Sequence, residues 1–418
     1  MSIIAALALA NAIAAPTAPS AGPTSKPEEL VRQLGDKSFR TREVAARELI
    51  RQGSTAVAAL TEGTKSTDAE VSERSRQLLP QVASVERNEK LALLLKDPSA
   101  PPPKGLAGLE RFLKAAGDSK ASRELYVEMM NIHHRAIELA DKDAKAAAME
   151  YQLFCEEAFN RYQAGARVGR YTYDNLFAGQ ADITFLFFIS ADKRLRLYEN
   201  GINRSYILFN GTQLTKVLSE KDGSPPMRKL FLDWLENEPQ SYQQQRGFQL
   251  AAQVNMKEAL PVALRLLEKK DNDNYSKVQV MTALTKLGGK EHIAMLDKYA
   301  SDNAQVTTIN FGNGDQLSVQ TRDVAMGVQV QLAGQKLADF GFDTRFGNGG
   351  GMSYHYYGFR DDKSRDEAHA KWKEWAGKNL TKTGDKKEPE PKKADAKTPA
   401  VPEKPKEPPP AAKPAEKK

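Results

Sequence analysis

Two stretches in the C-terminal half of this chain carry one pattern at a constant offset. Phe248, Leu250, Ala251, Val254, Leu260 and Val262 are echoed by Met281, Ala283, Leu284, Leu287, Ile293 and Met295, and the pair Lys257, Glu258 returns in register as Lys290, Glu291. A period of about 20–50 residues with two helical patterns per unit is how a stack of helix pairs reads in sequence. One pair cannot bury its apolar face alone, so neighbours must stack. The expected fold is therefore all-α, an α-solenoid. Such an array offers a surface for holding something more readily than a pocket for chemistry.

A similar period recurs near the N-terminus. A helix opens at Pro27 with Glu28 and Glu29 in its first turn, the placement that suits a proline and the helix dipole. Asp36 and Ser38 offer caps to a second helix, whose face reads Phe39, Arg42, Ala45, Ala46, Leu49 and Ile50 and which Gly53 ends. A third helix spans 56–60, and a fourth follows Asp68 through Val71, Arg74, Leu78 and Leu79. The step from Asp36 to Asp68 equals the step from Arg42 to Arg74.

The run Leu30, Leu34, Asp36, Arg42, Ala45, Leu49, Gly53 resembles the HEAT-like repeat, including the short variety found in bacterial proteins. The resemblance covers about 27–85 and 242–300. It implies that Asp36, Arg42, Asp68 and Arg74 hydrogen-bond between neighbouring units. It implies a fold and no specific activity. Some relatives of short HEAT-like repeats act as lyases on bilin chromophores, but no residue here can be matched to such a site.

Between and around the repeats the chain divides by composition. Residues 1–14 read as a signal peptide and 15–26 as a flexible linker. The N-terminal repeats occupy 27–97, and Pro98, Pro101, Pro102 and Pro103 mark a breaker at 98–105. A helical middle region without the repeat fills 106–241. In it, Asp118 or Ser119 caps a long helix through Leu139, and another runs from Asp143 to Tyr162. Residues 181–189 are the most hydrophobic run, a buried strand or an inner helix, with flanking signals favouring the helix. The C-terminal repeats fill 242–380. They contain a β-hairpin around Asn313 and Gly314, the strongest hairpin signal present, and a last helix begun by Asp361 or Asp362. That helix carries Trp372 and Trp375 on one face as a cap for the open end of the array. Residues 381–418, rich in Lys, Pro, Glu and Ala, are expected to be disordered.

Charge narrows the partner class. The net charge is +7, but 381–418 holds eleven Lys against seven Asp and Glu, so +4 lies in the tail and +3 on the rest. A duplex-binding face is clustered and basic, so no nucleic acid is expected; a weak contact of the tail with anionic polymers stays open. The apolar stretch 3–10 followed by Ala12 and Ala14 matches a cleaved leader, although no Lys or Arg precedes Lys26. If the signal is genuine the protein is exported, periplasmic or secreted; otherwise it is cytoplasmic. No segment reaches the ~20 apolar residues of a membrane helix. Cys155, the single cysteine, sits among apolar residues at helical spacing and reads as a buried structural thiol.

No motif carries chemistry. His133 and His134 are adjacent on a helix and diverge by about 100°, while His134 and Glu138 alone are too few for a metal site. Both histidines read as solvated. The glycine-rich loop 347–351 lacks the Lys-Ser/Thr of a phosphate loop. No catalytic, cofactor or metal residue is expected. Tyr354, His355, Tyr356, Tyr357 and Phe359 place five rings in six positions beside that loop, a composition enriched at interfaces. The reading is a non-enzymatic scaffold that binds a protein of unknown identity. Its rivals are an enzyme or enzyme subunit with a site in the helical middle, and an envelope-associated protein held to anionic polymers by its tail.

Overall fold

The computed structural model describes residues 25–167, 173, 176–197, 204–219, 224–269, 273–343, 345 and 352–380 of the 418-residue chain. The leader at 1–14, most of the linker, the loop 347–351 and the tail 381–418 lie outside them. The architecture is mostly helical, with one two-stranded antiparallel sheet.

The N-terminal helices begin where capping chemistry places them. Helix α1 (Pro27–Gln33) has Pro27 at its first position, and α2 (Phe39–Gln52) is capped by Ser38, whose side chain accepts from Thr41 N. Helix α3 (Ser54–Gly63) follows Gly53 directly, and α4 (Ala69–Lys96) starts at Asp68, which accepts from Glu70 N at 2.9 Å and Val71 N at 3.2 Å. Asp36 caps its own loop through Ser38 N at 2.7 Å. The aspartates expected to bridge units are thus local caps. The arginines do cross between helices, but onto glutamates: Arg42 on α2 meets Glu70 on α4 at 3.3 Å, and Arg74 on α4 meets Glu43 on α2 at 2.9 Å, while Glu70 holds Arg74 at 2.6 Å within α4 itself. Phe39, read as a core-facing residue, is exposed.

Helix α4 runs on through Pro80 to Lys96, far beyond Leu79. Its 28 residues span roughly 42 Å and join two cores. Val71, Leu78 and Val82 pack with α1 to α3, while Leu91 and Leu94 enter a second core that extends to Trp372. Burial at both ends offsets the lost hydrogen bond and ring clash of an interior proline. The end of α4 is closed from a distance. The buried Arg123 donates to Leu94 O, Asp97 O and Ala100 O while Asp118 holds its guanidinium at 2.8 and 2.9 Å. This satisfies carbonyls that a helix end leaves open.

The second core starts at α5 (Leu109–Ala116). Next come α6 (Lys120–Ala140), capped by Ser119, and α7 (Ala144–Arg167), where Asp143 accepts from Ala146 N. The hydrophobic run is helical: α8 (Gln180–Ser190) is buried all round. Its phenylalanines face three ways, Phe185 toward Phe154, Phe187 toward Phe231 and Trp234, and Phe188 toward Phe112. A central helix must be apolar on every face, which is why no stripe marks it. Helices α9 (Thr212–Leu218) and α10 (Pro225–Asn237) complete this part.

The repeat offset then maps one helix onto another. Helix α11 (Ser241–Gln253), a 3₁₀ turn at Lys257–Ala259 and α12 (Leu260–Glu268) are followed by α13 (Asn274–Leu287), a 3₁₀ turn at Lys290–His292 and a second at Ala294–Tyr299. The two units are bonded: Lys257 Nζ donates to Lys286 O at 2.9 Å and Tyr299 OH to Leu267 O at 3.0 Å. Strands β1 (Gln305–Gly312) and β2 (Asp315–Gln320) form the hairpin at Asn313 and Gly314, both with positive φ (51° and 77°), as a type I′ turn requires. Helix α14 (Thr321–Leu332) continues from β2, and α15 (Asp362–Asn379), capped by Asp361, packs against it. No helix among the described residues is long and apolar enough to cross a membrane.

Candidate aromatic binding surface

The five rings singled out at 354–359 divide into two groups. Tyr354–Tyr357 is a 3₁₀ turn begun by Ser353, whose hydroxyl accepts from His355 N. Tyr357 is 0% exposed: its ring lies against Gly327, where a Cβ would come within 2.1 Å of it, and its hydroxyl donates to Gln331 at 2.7 Å. Burial pushes its phenol well above the ordinary value. Phe359 is 2% exposed, against Phe342, and its backbone exchanges hydrogen bonds with Ser318 on the free edge of β2. Tyr357 and Phe359 are core, so neither offers a ring to a partner. The sequence mixes them with their neighbours because ring density alone does not say which way each ring points.

Tyr354, His355 and Tyr356 are half-buried. Tyr354 meets His355 at 4.4 Å between centroids and meets Tyr275 edge-on at 5.6 Å. Its phenol is pushed up to about 12, first by burial and then by hydrogen bonding with Tyr275. Tyr275 is 36% exposed in the first turn of α13, and Tyr242, 55% exposed, has the equivalent place in α11. The separation of these two tyrosines is the offset of the repeat. Ser241 and Ser276 bring the two helix starts together with a hydroxyl contact of 2.6 Å, and Gln245 Nε2 ties Met352 O to α11 at 3.4 Å. Sequence reasoning missed Tyr242 and Tyr275, although the same offset, extended to the first turn of each helix, would have paired them.

Other polar clusters fasten helices together. His133 is not solvated: it stacks on Phe185 at 4.2 Å, and Nε2 lies 2.9 Å from Asp182 Oδ1. Helix α6 departs from helical geometry at this residue (φ −111°, ψ 17°). Asp182 also accepts from Ala178 N at 2.7 Å and faces Arg161 at 3.5 Å. Burial pushes this carboxyl up, but the hydrogen bonds and the nearby charge prevail and hold it below the ordinary range. The pair pins α6 to α8. His134 is half-buried and burial lowers its imidazole, while Glu138 is engaged by Arg87 at 3.0 Å. Among the described residues no group of three or more His, Cys, Asp or Glu could hold a metal ion.

Two clefts bear on other sites. One of about 500 Å³ lies between Asp192 and the ends of α10 to α13. Its acids are spoken for, with Asp192 on Arg194 (2.6 Å), Glu236 on Arg265 (2.7 Å) and Glu238 accepting from Trp234 Nε1 (2.8 Å). The other, about 570 Å³, runs along Ile293, Asp297, Gln329, Trp372 and Ala376 at the end of α15.

Comparison with protein-family models, curated proteins and solved structures finds no match to this chain. What the surface can do rests on its own geometry.

Cys155 is buried in α7, and burial pushes its thiol up to about 12. The thiolate is the reactive form. Native protein at pH 8 is therefore expected to leave Ellman's reagent unreacted for hours and to yield one thiol per chain once denatured. A full equivalent released within minutes from native protein would contradict this burial.

Proposed function

We propose that this chain is a non-enzymatic binding or scaffold protein built on stacked HEAT-like helix pairs, and that a protein partner meets it at Tyr242, Tyr275, Tyr354 and Tyr356. The observation that carries the reading is positional. A large ring stands exposed at the same place in two consecutive units, on adjoining helix starts. Exposed rings add little to folding, whereas an amphipathic ring with a hydroxyl is suited to recognition. The bonds from Lys257 and Tyr299 between units support continuous stacking. Charge favours a protein over a nucleic acid, since the chain outside its tail carries a net +3.

The test is cross-linking capture from the native compartment, wild type against the double variant Tyr242→Ala, Tyr275→Ala. The double variant is expected to lose roughly tenfold or more of the specifically captured partner, at least about 1.4 kcal/mol. Tyr242→Ala should change stability by only ~0.5 kcal/mol, and Tyr275→Ala by roughly 1 kcal/mol more, because it also removes a ring contact and a hydrogen bond with Tyr354. Undiminished capture would count against the surface.

A further inference from the structure

The chain contains a candidate occupant for this surface. Pro399, Pro402, Pro405 and Pro408 recur at every third residue of the C-terminal segment, which lies outside the described residues. Proline fixes φ at about −65° and biases the residue before it toward extended geometry. A polyproline II helix has three residues per turn and a rise of about 3.1 Å, so in that conformation the four prolines share one edge and repeat about every 9.3 Å.

The helices that carry two of the tyrosines give a comparable expected step. Packed helices lie roughly 8–10 Å apart, and Tyr242 and Tyr275 occupy equivalent positions on two packed helices whose first turns touch through Ser241 and Ser276. Tyr354 and Tyr356 add rings from the segment that crosses those turns. Proline-rich segments of this kind dock into aromatic-lined grooves. Their carbonyls have no internal partner, and tyrosine hydroxyls can donate to them.

We propose that residues 399–408 dock on the row formed by Tyr242, Tyr275, Tyr354 and Tyr356 of the same chain, as a built-in competitor for the partner. This rests on reading the row as a binding surface and names its resting occupant. Reach is sufficient. The described chain ends at Leu380 beside Ile293 and Trp372, near the end of α13 opposite Tyr275. The distance along α13 is about 21 Å. The chain from 380 to 399 can span up to about 60 Å. An intramolecular ligand on such a tether has an effective concentration in the millimolar range, so modest ring contacts suffice for occupancy.

The test uses the full chain. Ala400→Cys carries a benzophenone maleimide, with Cys155 left in place because its buried thiol does not compete. After irradiation, the expected product is a monomer cross-linked at 242, 275 and 352–356. The yield should fall at least tenfold when Pro399, Pro402, Pro405 and Pro408 are all replaced by Ala, and likewise in the Tyr242→Ala, Tyr275→Ala variant. The proline variant alters only the tail, so it stays interpretable should the tyrosine variant fold poorly. Cross-links mainly elsewhere, including the groove at Ile293 and Trp372, would overturn the proposal, as would a yield insensitive to the prolines or a purely dimeric product. Partner capture by the same variants separates the two readings. Capture lost with cross-links off the row sinks self-docking alone; cross-links on the row with capture intact sink the partner surface alone.

Discussion

Replacing Asp323 by Ala is expected to cost about 3–5 kcal/mol, because it strands a buried charge. Asp323 is fully buried at the start of α14, and Arg365 on α15 is 1% exposed. Oδ2 accepts from Arg365 Nε at 3.0 Å and Gln320 N at 2.9 Å, and Oδ1 lies 3.1 Å from His369 Nε2. Arg365 also donates to Ser318 O at 3.2 Å and to Asp362, so one guanidinium joins α15, α14 and β2. Without Asp323 its remaining charge partner is Asp362, whose side chain is mostly exposed. Urea melts should show a lower midpoint at unchanged slope. The variant Asp323→Ala, Arg365→Ala should cost clearly less than the sum of the singles, since neither charge is then left alone. A single variant within about 1 kcal/mol of wild type would refute the account.

That cluster also shows what a sequence does and does not display. Signals that act within a few residues were legible: Ser38 and Asp361 as caps, Asn313 and Gly314 as the hairpin turn, and the apolar run at 181–189 as a helix. Each depends on the backbone immediately beside it. Pairings across space were not legible. Asp323 and Arg365 are 42 residues apart, His133 and Asp182 are 49 apart, and Arg123 closes α4 from 26 residues away. No local pattern distinguishes these residues from solvated ones. The candidate surface fell between the two cases. Its ring-rich segment was visible, but Tyr357 and Phe359 turn inward, and the exposed contribution of Tyr242 and Tyr275 comes from helices much earlier in the chain. The proline inside α4 misleads for the same reason, because two distant cores hold that helix through a local breaker.

The two tryptophans of α15 look equivalent in sequence and are not. Trp372 is 7% exposed, packs edge-on to Phe340 at 5.4 Å and donates its indole N–H to Gln329 Oε1 at 3.1 Å. Gln329 in turn donates to Ile293 O at 3.0 Å and Asp297 Oδ1 at 2.7 Å, so the indole completes a hydrogen-bonded chain from α15 through α14 to the 3₁₀ turns that follow α13. Trp375 stacks on Trp372 at 5.2 Å but is only half-buried. Trp372→Ala is therefore expected to cost about 3–5 kcal/mol, the transfer loss plus a cavity. Trp375→Ala should cost roughly 1–2 kcal/mol, in proportion to its smaller buried area. Trp372→Phe keeps a ring but leaves the Gln329 carbonyl unpaired, a loss of about 1–3 kcal/mol. Denaturant melts of the three variants rank them. If the pair served as an exposed docking site instead, both alanine variants would melt with wild type, and that result would remove the role of α15 in closing the end of the core.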